Sequence, residues 1–321
     1  MKKTTLYMII PCFNEAEVIP LTANKAAETI KSLSPRLSDK SRVLFVDDGS
    51  CDLTWDKIEE LCREDKLFCG VKLSRNEGHQ NALMAGYEFA RGRCDCAISI
   101  DADLQDDLSV IPDFLDKYDE GCEVVYGVRK SRRSDSAFKR GTAAAFYGSM
   151  TSLGAETLKN HADYRLLGSA ALEALSEFTE VNLFLRGIVP LVGFKSDVVY
   201  YDRKERAAGK TKYPLKKMIS FALDGITSFS VKPIRIVMGL GILTVALSIL
   251  AAVYVFVSYF NGNTSAGWAS IMISVWFIGG VLLVSIGLIG EYTGKIYSEV
   301  KRRPRYITEK TINFENFTKE T

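Results

Sequence analysis

Short apolar runs that end in polar turns recur along the first 130 residues of the chain. Five of these runs predict strands, at residues 5–10, 42–46, 70–73, 97–100 and 123–128. The segments between them have helical composition, at about residues 16–33, 53–64, 81–91 and 110–118. Asp52 is placed as an N-cap of the second helix. Strands that alternate with helices of this length predict a doubly wound, mostly parallel α/β sheet.

Two long uncharged stretches follow in the second half of the chain. No charged residue occurs from Ile236 to Phe260 or from Gly262 to Gly290. Each stretch exceeds the about 20 helical residues that cross a bilayer core, so we predict two transmembrane helices in preference to two buried core helices. Basic residues flank the pair on both outer sides, and the positive-inside rule then places both long ends of the chain in the cytoplasm.

An amphipathic pattern precedes the first uncharged stretch. Apolar residues recur at helical spacing from Leu215 to Phe229, which predicts a helix in the membrane interface, with a core-facing helix as the alternative. The chain is thus predicted to have four parts: a cytoplasmic α/β domain (1–213), a juxtamembrane amphipathic helix (214–235), a two-helix transmembrane hairpin (236–290) and a cytoplasmic C-terminal tail (291–321). The last residues, Glu309 to Thr321, are predicted to be polar tail.

Composition excludes several classes of function. The net charge is +2, which gives no field that would favour nucleic acid. The seven cysteines all lie between Cys12 and Cys122, and their odd number and irregular spacing argue against a disulfide framework. The first apolar run is too short for a signal peptide. No Gly-x-Gly-x-x-Gly follows the first strand, which argues against a dinucleotide-dependent dehydrogenase.

Clustered carboxylates follow the fourth predicted strand. Asp101 and Asp103 are one residue apart, and Gln105 lies two positions further on. The carboxyl edge of an open α/β sheet is where ligands bind, and oxygen ligands of this kind hold a hard cation such as Mg²⁺ or Mn²⁺. Acidic and polar residues also follow the first three strands, so we predict a metal site rather than a solvated acidic loop.

Six motifs lie in order along the chain. Four follow strands: Pro11-Cys12-Phe13-Asn14-Glu15, Asp47-Asp48-Gly49-Ser50, Arg75-Asn76-x-Gly78 and Asp101-Ala102-Asp103-Leu104-Gln105. Two come later: Asp163-Tyr164-Arg165-Leu166 and Arg206-x-x-Gly209-x-Thr211-Lys212-Tyr213. The first four resemble family 2 glycosyltransferases of GT-A fold. The last two resemble the polyprenyl-phosphate branch, which includes dolichol-phosphate mannose synthase and bacterial undecaprenyl-phosphate glucosyltransferases. The resemblance covers about residues 4–306.

The resemblance implies an inverting, membrane-bound hexosyltransferase. It would move a hexose from a nucleotide sugar, with UDP-glucose as the first choice, to polyprenyl phosphate at the cytoplasmic face of the inner membrane. Mg²⁺ or Mn²⁺ would be held by Asp101, Asp103 and Gln105. The nucleotide-sugar pocket would be lined by Pro11, Phe13, Glu15, Asp47, Asp48, Arg75, Asn76 and Asp101. A homotetramer is implied by the same analogy.

The acceptor phosphate needs cations that position it for attack. By resemblance these are Arg129, Arg206 and Lys212, with three further candidates, Arg132, Arg133 and Arg140. Asp163 matches the aspartate that the family places near the acceptor, and we assign it a catalytic role, either as a base or in orienting the phosphate. His79 and Gln80 stand where the family often has a Lys-Glu pair, so no role is assigned to them, and His79 is interpreted as a polar loop residue.

Two other functions are considered. A processive polysaccharide synthase of the same fold carries a Gln-x-x-Arg-Trp motif, but none of Trp55, Trp268 and Trp276 follows an arginine. A non-catalytic membrane partner that binds nucleotide sugar is the second alternative, and the intact metal-binding and phosphate-binding motifs argue against it.

Overall fold

The computed structural model describes residues 3–130, 161–181, 184–202, 232–261 and 267–314. The strands in these ranges are β1 (Leu6–Cys12), β2 (Arg42–Asp47), β3 (Phe68–Leu73), β4 (Cys96–Ser99), β5 (Val124–Arg129), β6 (His161–Gly168), β7 (Ser196–Tyr201) and β8 (Thr308–Ile312). The α-helices are α1 (Ile19–Ser32), α2 (Thr54–Glu64), α3 (His79–Ala90), α4 (Ile111–Asp119), α5 (Ser169–Ser176), α6 (Leu185–Leu191), α7 (Lys232–Phe260) and α8 (Trp268–Val300).

The eight strands form one mixed sheet in the order β7-β5-β6-β4-β1-β2-β3-β8. The block β4-β1-β2-β3 is parallel, with Met8 of β1 opposite both Val43 of β2 and Ile98 of β4. β6 runs antiparallel between β4 and β5, and β8 runs antiparallel to β3. The prediction of an α/β sheet is therefore confirmed, and the sheet is mixed: the central block and the β5-β7 pair are parallel, whereas β6 and β8 run antiparallel to their neighbours.

The central strands form because their sequences are apolar throughout. All seven residues of β1 are buried, as expected for a parallel strand that is covered on both faces. α3 packs directly against β1, and a Cβ atom on Gly86 would lie only 2.3 Å from Cγ2 of Ile9. The loops after β1, β2, β3 and β4 leave the same edge of this block, because the four strands are parallel neighbours.

β6 has a different composition from the central strands. Its residues Asp163 to Gly168 are all buried although two of them are charged. Asp163 and Arg165 are two positions apart, so their side chains point to the same face of the strand. This buried charged pair explains why the segment has no apolar pattern that would predict a strand.

β8 corrects the predicted C-terminal tail. Residues from 309 onward were expected to be a polar tail, but Thr308–Ile312 pairs with β3, with Ile312 opposite Gly70. The Asn313 amide then donates to the carbonyls of Cys62 and Phe68 at 2.6 and 2.8 Å. Residues 291–300 of the predicted C-terminal segment continue α8, and their location in the cytoplasm stays a prediction.

The described residues belong to two compact units. One contains the sheet and consists of residues 3–130, 161–181, 184–202 and 303–314, and the other consists of the residues of α7 and α8. Within the described part of the chain, Phe277–Val300 is the stretch long and apolar enough to cross a membrane. It overlaps the second predicted span, whereas a crossing by Ile236 to Phe260 stays a prediction. Residues 214–231 of the predicted juxtamembrane helix lie outside the described residues.

Candidate active site

The loops that follow β1 and β2 are joined by hydrogen bonds. Asn14 has a left-handed backbone with φ of 54°. Its Oδ1 accepts from the Cys51 N–H at 2.9 Å, and its own N–H donates to Ser50 Oγ at 2.9 Å. The Glu15 N–H donates to Thr54 Oγ1 at 2.8 Å. The two motifs at the ends of β1 and β2 therefore form one surface.

Asp47 and Asp48 are both buried but have different partners. Asp47 Oδ1 accepts from the Ser50 N–H at 3.2 Å, whereas Oδ2 has no hydrogen-bond partner among the described residues. Burial raises the pKa of Asp47 above its usual value. The Asp48 carboxylate accepts from the backbone N–H groups of Glu77 and Gly78 at 2.8 and 3.0 Å. Asp48 thus fixes the loop after β3, and Asp47 keeps one oxygen for another donor.

The other residues predicted for the nucleotide pocket are spread along these loops. Pro11 is buried within β1, whereas Phe13 is exposed at the strand end. Arg75 and Asn76 are exposed, and the Arg75 Nε donates to the Glu77 carboxylate at 2.6 Å. Their contact with a nucleotide stays a prediction.

The carboxylate loop after β4 is held by its own backbone and side chains. Asp103 Oδ1 accepts from the Gln105 N–H at 3.1 Å, and Asp106 Oδ2 accepts from the Asp101 N–H at 3.2 Å. Leu104 has φ of 56°, a left-handed conformation that is strained for a bulky residue. The loop is therefore locked in a shape that places Asp101 and Asp103 at the end of β4.

Residues at the ends of β7 and β5 support the same loop. The Tyr201 hydroxyl, at the end of β7, donates to Asp106 Oδ1 at 2.7 Å. Arg129, at the end of β5, donates from Nε to the Tyr201 hydroxyl oxygen at 3.3 Å. Burial and the nearby charge of Asp101 raise the pKa of Asp106 to about 6. Arg129 is thus linked through Tyr201 to the predicted metal loop, and its contact with an acceptor phosphate stays a prediction.

The chemistry of the loop fits a divalent cation. Desolvation raises the pKa of Asp101, and the charges of Asp163 and Asp103 raise it further, against the opposing effect of His79. Negative charge that is crowded in this way is relieved by a bound cation. Within the described part of the chain, however, no three His, Cys, Asp or Glu side chains group as metal ligands. The predicted set has two carboxylates and the amide of Gln105, with the remaining positions left to water or substrate.

Asp163 is the centre of a group of positive side chains. Its Oδ1 accepts from Arg165 at 2.6 Å, and its Oδ2 accepts from the Nη2 of Arg186 at 3.0 Å. His79 Nε2 lies 3.5 Å from Asp163 Oδ2 and 3.8 Å from Asp101 Oδ1. His79 therefore joins the carboxylate of the predicted metal loop to the carboxylate on β6.

These neighbours determine the protonation of Asp163. Burial alone would raise its pKa, but Arg186, His79 and Arg165 outweigh burial and hold the pKa well below its usual range. For His79, desolvation lowers the pKa, but the hydrogen bond with Asp163 and the charge of Asp101 outweigh it and raise the pKa above 6.5. Such a carboxylate is a weak base, and this geometry favours an orienting role for Asp163 over a role as general base.

The first turn of α3 connects this group to α6. Gln80 Oε1 accepts from the Leu185 N–H at 2.7 Å, 105 positions along the chain. Leu185 begins α6 and precedes Arg186, so Gln80 fixes the backbone from which the Arg186 side chain extends. His79 and Gln80, to which the sequence assigned no role, thus both contact the group around Asp163.

Some predicted site residues lie outside the described residues. These are Arg206 and Lys212, together with the further candidates Arg132, Arg133 and Arg140. Their role in holding an acceptor phosphate stays a prediction.

The structure also adds residues that sequence reasoning missed. Arg165, Arg186, Asp106 and Tyr201 contact the predicted site residues. Arg165 stands inside a quoted motif, two positions after Asp163, and this spacing on a strand was a signal that could have identified it. Asp106 lies five positions after Asp101 in the same acidic segment, which was also a signal. No signal of this kind marked Arg186 and Tyr201, because their partners are distant in sequence.

Comparison with known protein families gives two matches that together span most of the chain. Residues 7–171 match the family described as "Glycosyl transferase family 2". Residues 232–296, which contain α7 and most of α8, match the "GtrB C-terminal hairpin".

Individual proteins are similar over nearly the whole chain. The uncharacterized glycosyltransferase YkoT of Bacillus subtilis is 55% identical over 303 residues, which cover 94% of this chain and 90% of that protein. The SfII prophage-derived bactoprenol glucosyl transferase of Shigella flexneri is 38% identical over 306 residues, or 95% and 97% of the two chains. Among solved structures, the mannosyltransferase PcManGT from Pyrobaculum calidifontis in complex with GDP-Man and Mn²⁺ is 16% identical. It superposes with a TM-score of 0.43 over 94% of this chain and 88% of that chain.

Proposed function

Because the chain belongs to glycosyl transferase family 2, we propose that it transfers a hexose from a nucleotide sugar to polyprenyl phosphate. UDP-glucose is the first choice of donor and undecaprenyl phosphate the first choice of acceptor. The main support for the proposal is the position of His79. It lies between the carboxylate loop at Asp101 and the guanidinium groups around Asp163, two groups that would bind ligands of opposite charge. The first suits a cation and the second suits a phosphate.

The donor's nucleotide would occupy the surface formed by the β1 and β2 loops. The buried Asp47 Oδ2 has no partner among the described residues, and a pyrimidine N–H would supply the donor that this oxygen lacks. Phe13, which follows β1, offers an exposed ring, and Glu15, Arg75 and Asn76 would complete the pocket.

Asp101, Asp103 and Gln105 would hold Mg²⁺ or Mn²⁺. When bound, the ion supplies positive charge to the leaving diphosphate. The residues of the chain do the rest of the positioning: Asp106 holds the loop through the Asp101 N–H, and Tyr201 holds Asp106.

The reaction would be a single displacement. An oxygen of the lipid phosphate attacks the anomeric carbon, a new C–O bond forms, and the bond from that carbon to the diphosphate oxygen breaks with its electron pair on the nucleoside diphosphate. A phosphate monoester is already largely ionised near neutral pH, since its second pKa is about 6, so no strong base is required. A reaction that needs no strong base agrees with the lowered pKa of Asp163. An α-linked donor would give a β-linked lipid product.

The hairpin would anchor the enzyme beside its lipid acceptor. α7 and α8 expose large apolar side chains, among them Leu250, Tyr254, Leu283 and Val284, as expected for surfaces that contact lipid. We infer two membrane crossings, a multi-pass protein of the inner membrane with its sheet-containing unit in the cytoplasm, and assembly as a homotetramer.

The test uses the full-length protein purified in detergent. With radiolabelled UDP-glucose, undecaprenyl phosphate and Mn²⁺, the expected product is a glycolipid that carries a single hexose. Asp103→Ala is expected to abolish its formation, while Asp113→Ala, an acidic residue in the first turn of α4, serves as the matched control and should retain activity. Full activity in Asp103→Ala would refute the proposed metal site.

The same assay separates the alternative functions. A polymer longer than one sugar would indicate a processive synthase. Metal-dependent binding of the nucleotide sugar without turnover, on a mixed panel of donors, would indicate a non-catalytic partner. Mass spectrometry of the product from that panel would identify the sugar.

A further inference from the structure

Arg186 contacts Asp163 along one edge of its guanidinium group. Its Nε donates to Asp163 Oδ1 at 3.3 Å and its Nη2 donates to Oδ2 at 3.0 Å. A two-point contact of this kind fixes the plane of the guanidinium as well as its position. Arg186 is therefore oriented before any substrate arrives.

Asp163 has two arginine partners that differ in exposure. Arg165 is fully buried and donates to the same carboxylate, so it already neutralises Asp163. Arg186 brings a second guanidinium, and 37% of its side chain is exposed. Arg165 is enclosed together with the carboxylate, whereas Arg186 keeps part of its side chain at a surface that an anion can reach.

The first turn of α3 fixes both the carboxylate and the backbone that carries Arg186. His79 lies 3.5 Å from Asp163, and Gln80 Oε1 accepts from the Leu185 N–H. The residues just before them, Glu77 and Gly78, donate to Asp48. One segment, residues 77–80, thus links the nucleotide loop, the metal loop and Arg186.

We propose that Arg186 binds a phosphate group of the substrates, and that Asp163 is a positioning residue that acts through Arg186. The inference rests on the proposed function in so far as both substrates carry phosphate. Two phosphates could be the ligand, namely the diphosphate of the nucleotide sugar and the phosphate of the lipid. Both are recognised by the same bidentate guanidinium chemistry.

The test compares Arg186→Gln with the wild-type protein in two assays. Calorimetry with UDP and with UDP-glucose, in the presence of Mn²⁺ and without lipid, measures binding of the donor diphosphate. Steady-state kinetics at saturating donor measure KM for undecaprenyl phosphate. Either the donor Kd or the KM for undecaprenyl phosphate is expected to rise by about tenfold or more, which is the effect of losing one charge-assisted hydrogen bond. A weaker donor Kd assigns the diphosphate, and a higher acceptor KM assigns the lipid phosphate.

Arg91→Gln is the matched control. Arg91 is also a partly exposed arginine that is paired with a carboxylate, Glu173 at 3.2 Å, but it lies at the other end of α3, about 18 Å from His79 at 1.5 Å per residue. Arg91→Gln should leave the donor Kd and the acceptor KM within about twofold of the wild-type values, since Arg91 lies outside the site. Arg186→Lys keeps the charge but loses the two-point contact, and should show an intermediate loss.

Asp163→Asn tests the positioning role. Asp163→Asn should raise the same constant, Kd or KM, that Arg186→Gln raises. The double variant should raise it no further than the more affected single variant, because both changes remove the same Arg186–Asp163 contact. If Arg186→Gln, folded by circular dichroism, changes neither constant beyond the control, the inference is wrong. The binding assay remains informative even if the wild-type protein makes no glycolipid, an outcome that would refute the proposed function instead.

Discussion

Arg165 donates to Asp163 at 2.6 Å from a position with no solvent exposure. Both residues belong to β6, and the Arg165 Nη1 also donates to the Leu185 carbonyl at 3.3 Å. The pair therefore connects the middle of the sheet to the start of α6. Removing one member of a buried pair costs more than the pair itself contributes, because the remaining charge loses a buried partner.

We expect Arg165→Met to lower the free energy of unfolding by about 3 kcal/mol, the lower end of the cost of breaking a buried pair from one side, because Asp163 keeps Arg186 and His79 as partners. Thermal unfolding of the purified protein measures the change. The double variant Arg165→Met/Asp163→Asn should be less destabilised than the sum of the two single variants, because it leaves no unpaired charge. Additive losses would show that the two side chains do not interact.

The lowered pKa of Asp163 gives a prediction for the pH dependence of stability. A carboxylate with a depressed folded pKa contributes stability that is present above its unfolded pKa of about 3.9 and is lost as the pH falls through the folded value. The destabilisation caused by Asp163→Asn should therefore be constant above about pH 5 and shrink only below about pH 4.

This comparison is best made in a His79→Gln background, because Asp163 raises the pKa of His79 and would otherwise add a second pH-dependent contribution. Unfolding midpoints of the two proteins over the pH range provide the measurement. A difference that already shrinks near neutral pH would mean that Asp163 titrates there, which would restore the hypothesis of a general base.

Gly49 is packed against the loop that carries two predicted nucleotide residues. It has φ of 66°, and a Cβ atom there would lie 2.4 Å from the carbonyl carbon of Arg75 and 2.7 Å from the nitrogen of Asn76. Gly49→Ala should displace this loop and weaken UDP binding by about tenfold, equivalent to 1.4 kcal/mol. Gly92→Ala is the control, because Gly92 has φ of 71° with open space around it and shares only the backbone strain of about 1–3 kcal/mol. Equal UDP affinity in both variants would contradict the proposed pocket.

Cysteine reactivity offers an independent probe of the same surface. Of the seven cysteines, all of them in the described residues, Cys51 is exposed and the other six are buried. Burial also raises the pKa of several of the buried thiols, to about 12 for Cys62 and Cys94, so they should react slowly with a maleimide. We expect one fast-reacting thiol, absent in Cys51→Ser, and slower labelling with UDP because the Cys51 N–H bonds to Asn14. Labelling that UDP leaves unchanged would argue against nucleotide binding at this surface.

Much of the sheet could be predicted because its central strands are short apolar runs that end in polar turns. β1 and β2 match their predicted ranges within two residues at each end. β6 and β8 could not be predicted in this way. β6 buries Asp163 and Arg165, which satisfy each other, and β8 is an edge strand whose residues are mostly polar and exposed.

The site could be predicted where its residues follow strands. The motifs place Asp47, Asp48, Asp101 and Asp103 at one edge of the sheet. Arg186 could not be assigned a role from the sequence, because its partner Asp163 is 23 positions away and on a different element. The different roles of Asp47 and Asp48 also depend on the loop after β3, whose N–H groups bind only one of them.

The position of β8 has a consequence for how the protein is made. Its pairing partner β3 is synthesised more than 200 residues earlier, and the Tyr306 hydroxyl also reaches back to the carboxylate of Glu88. β8 is synthesised only after both helices of the hairpin, because it follows them in the chain. The sheet therefore cannot be completed on a chain that lacks the hairpin's C-terminal flank, and termination before residue 303 would leave β3 as an open edge. The order of translation thus ensures that completion of the sheet follows synthesis of the hairpin.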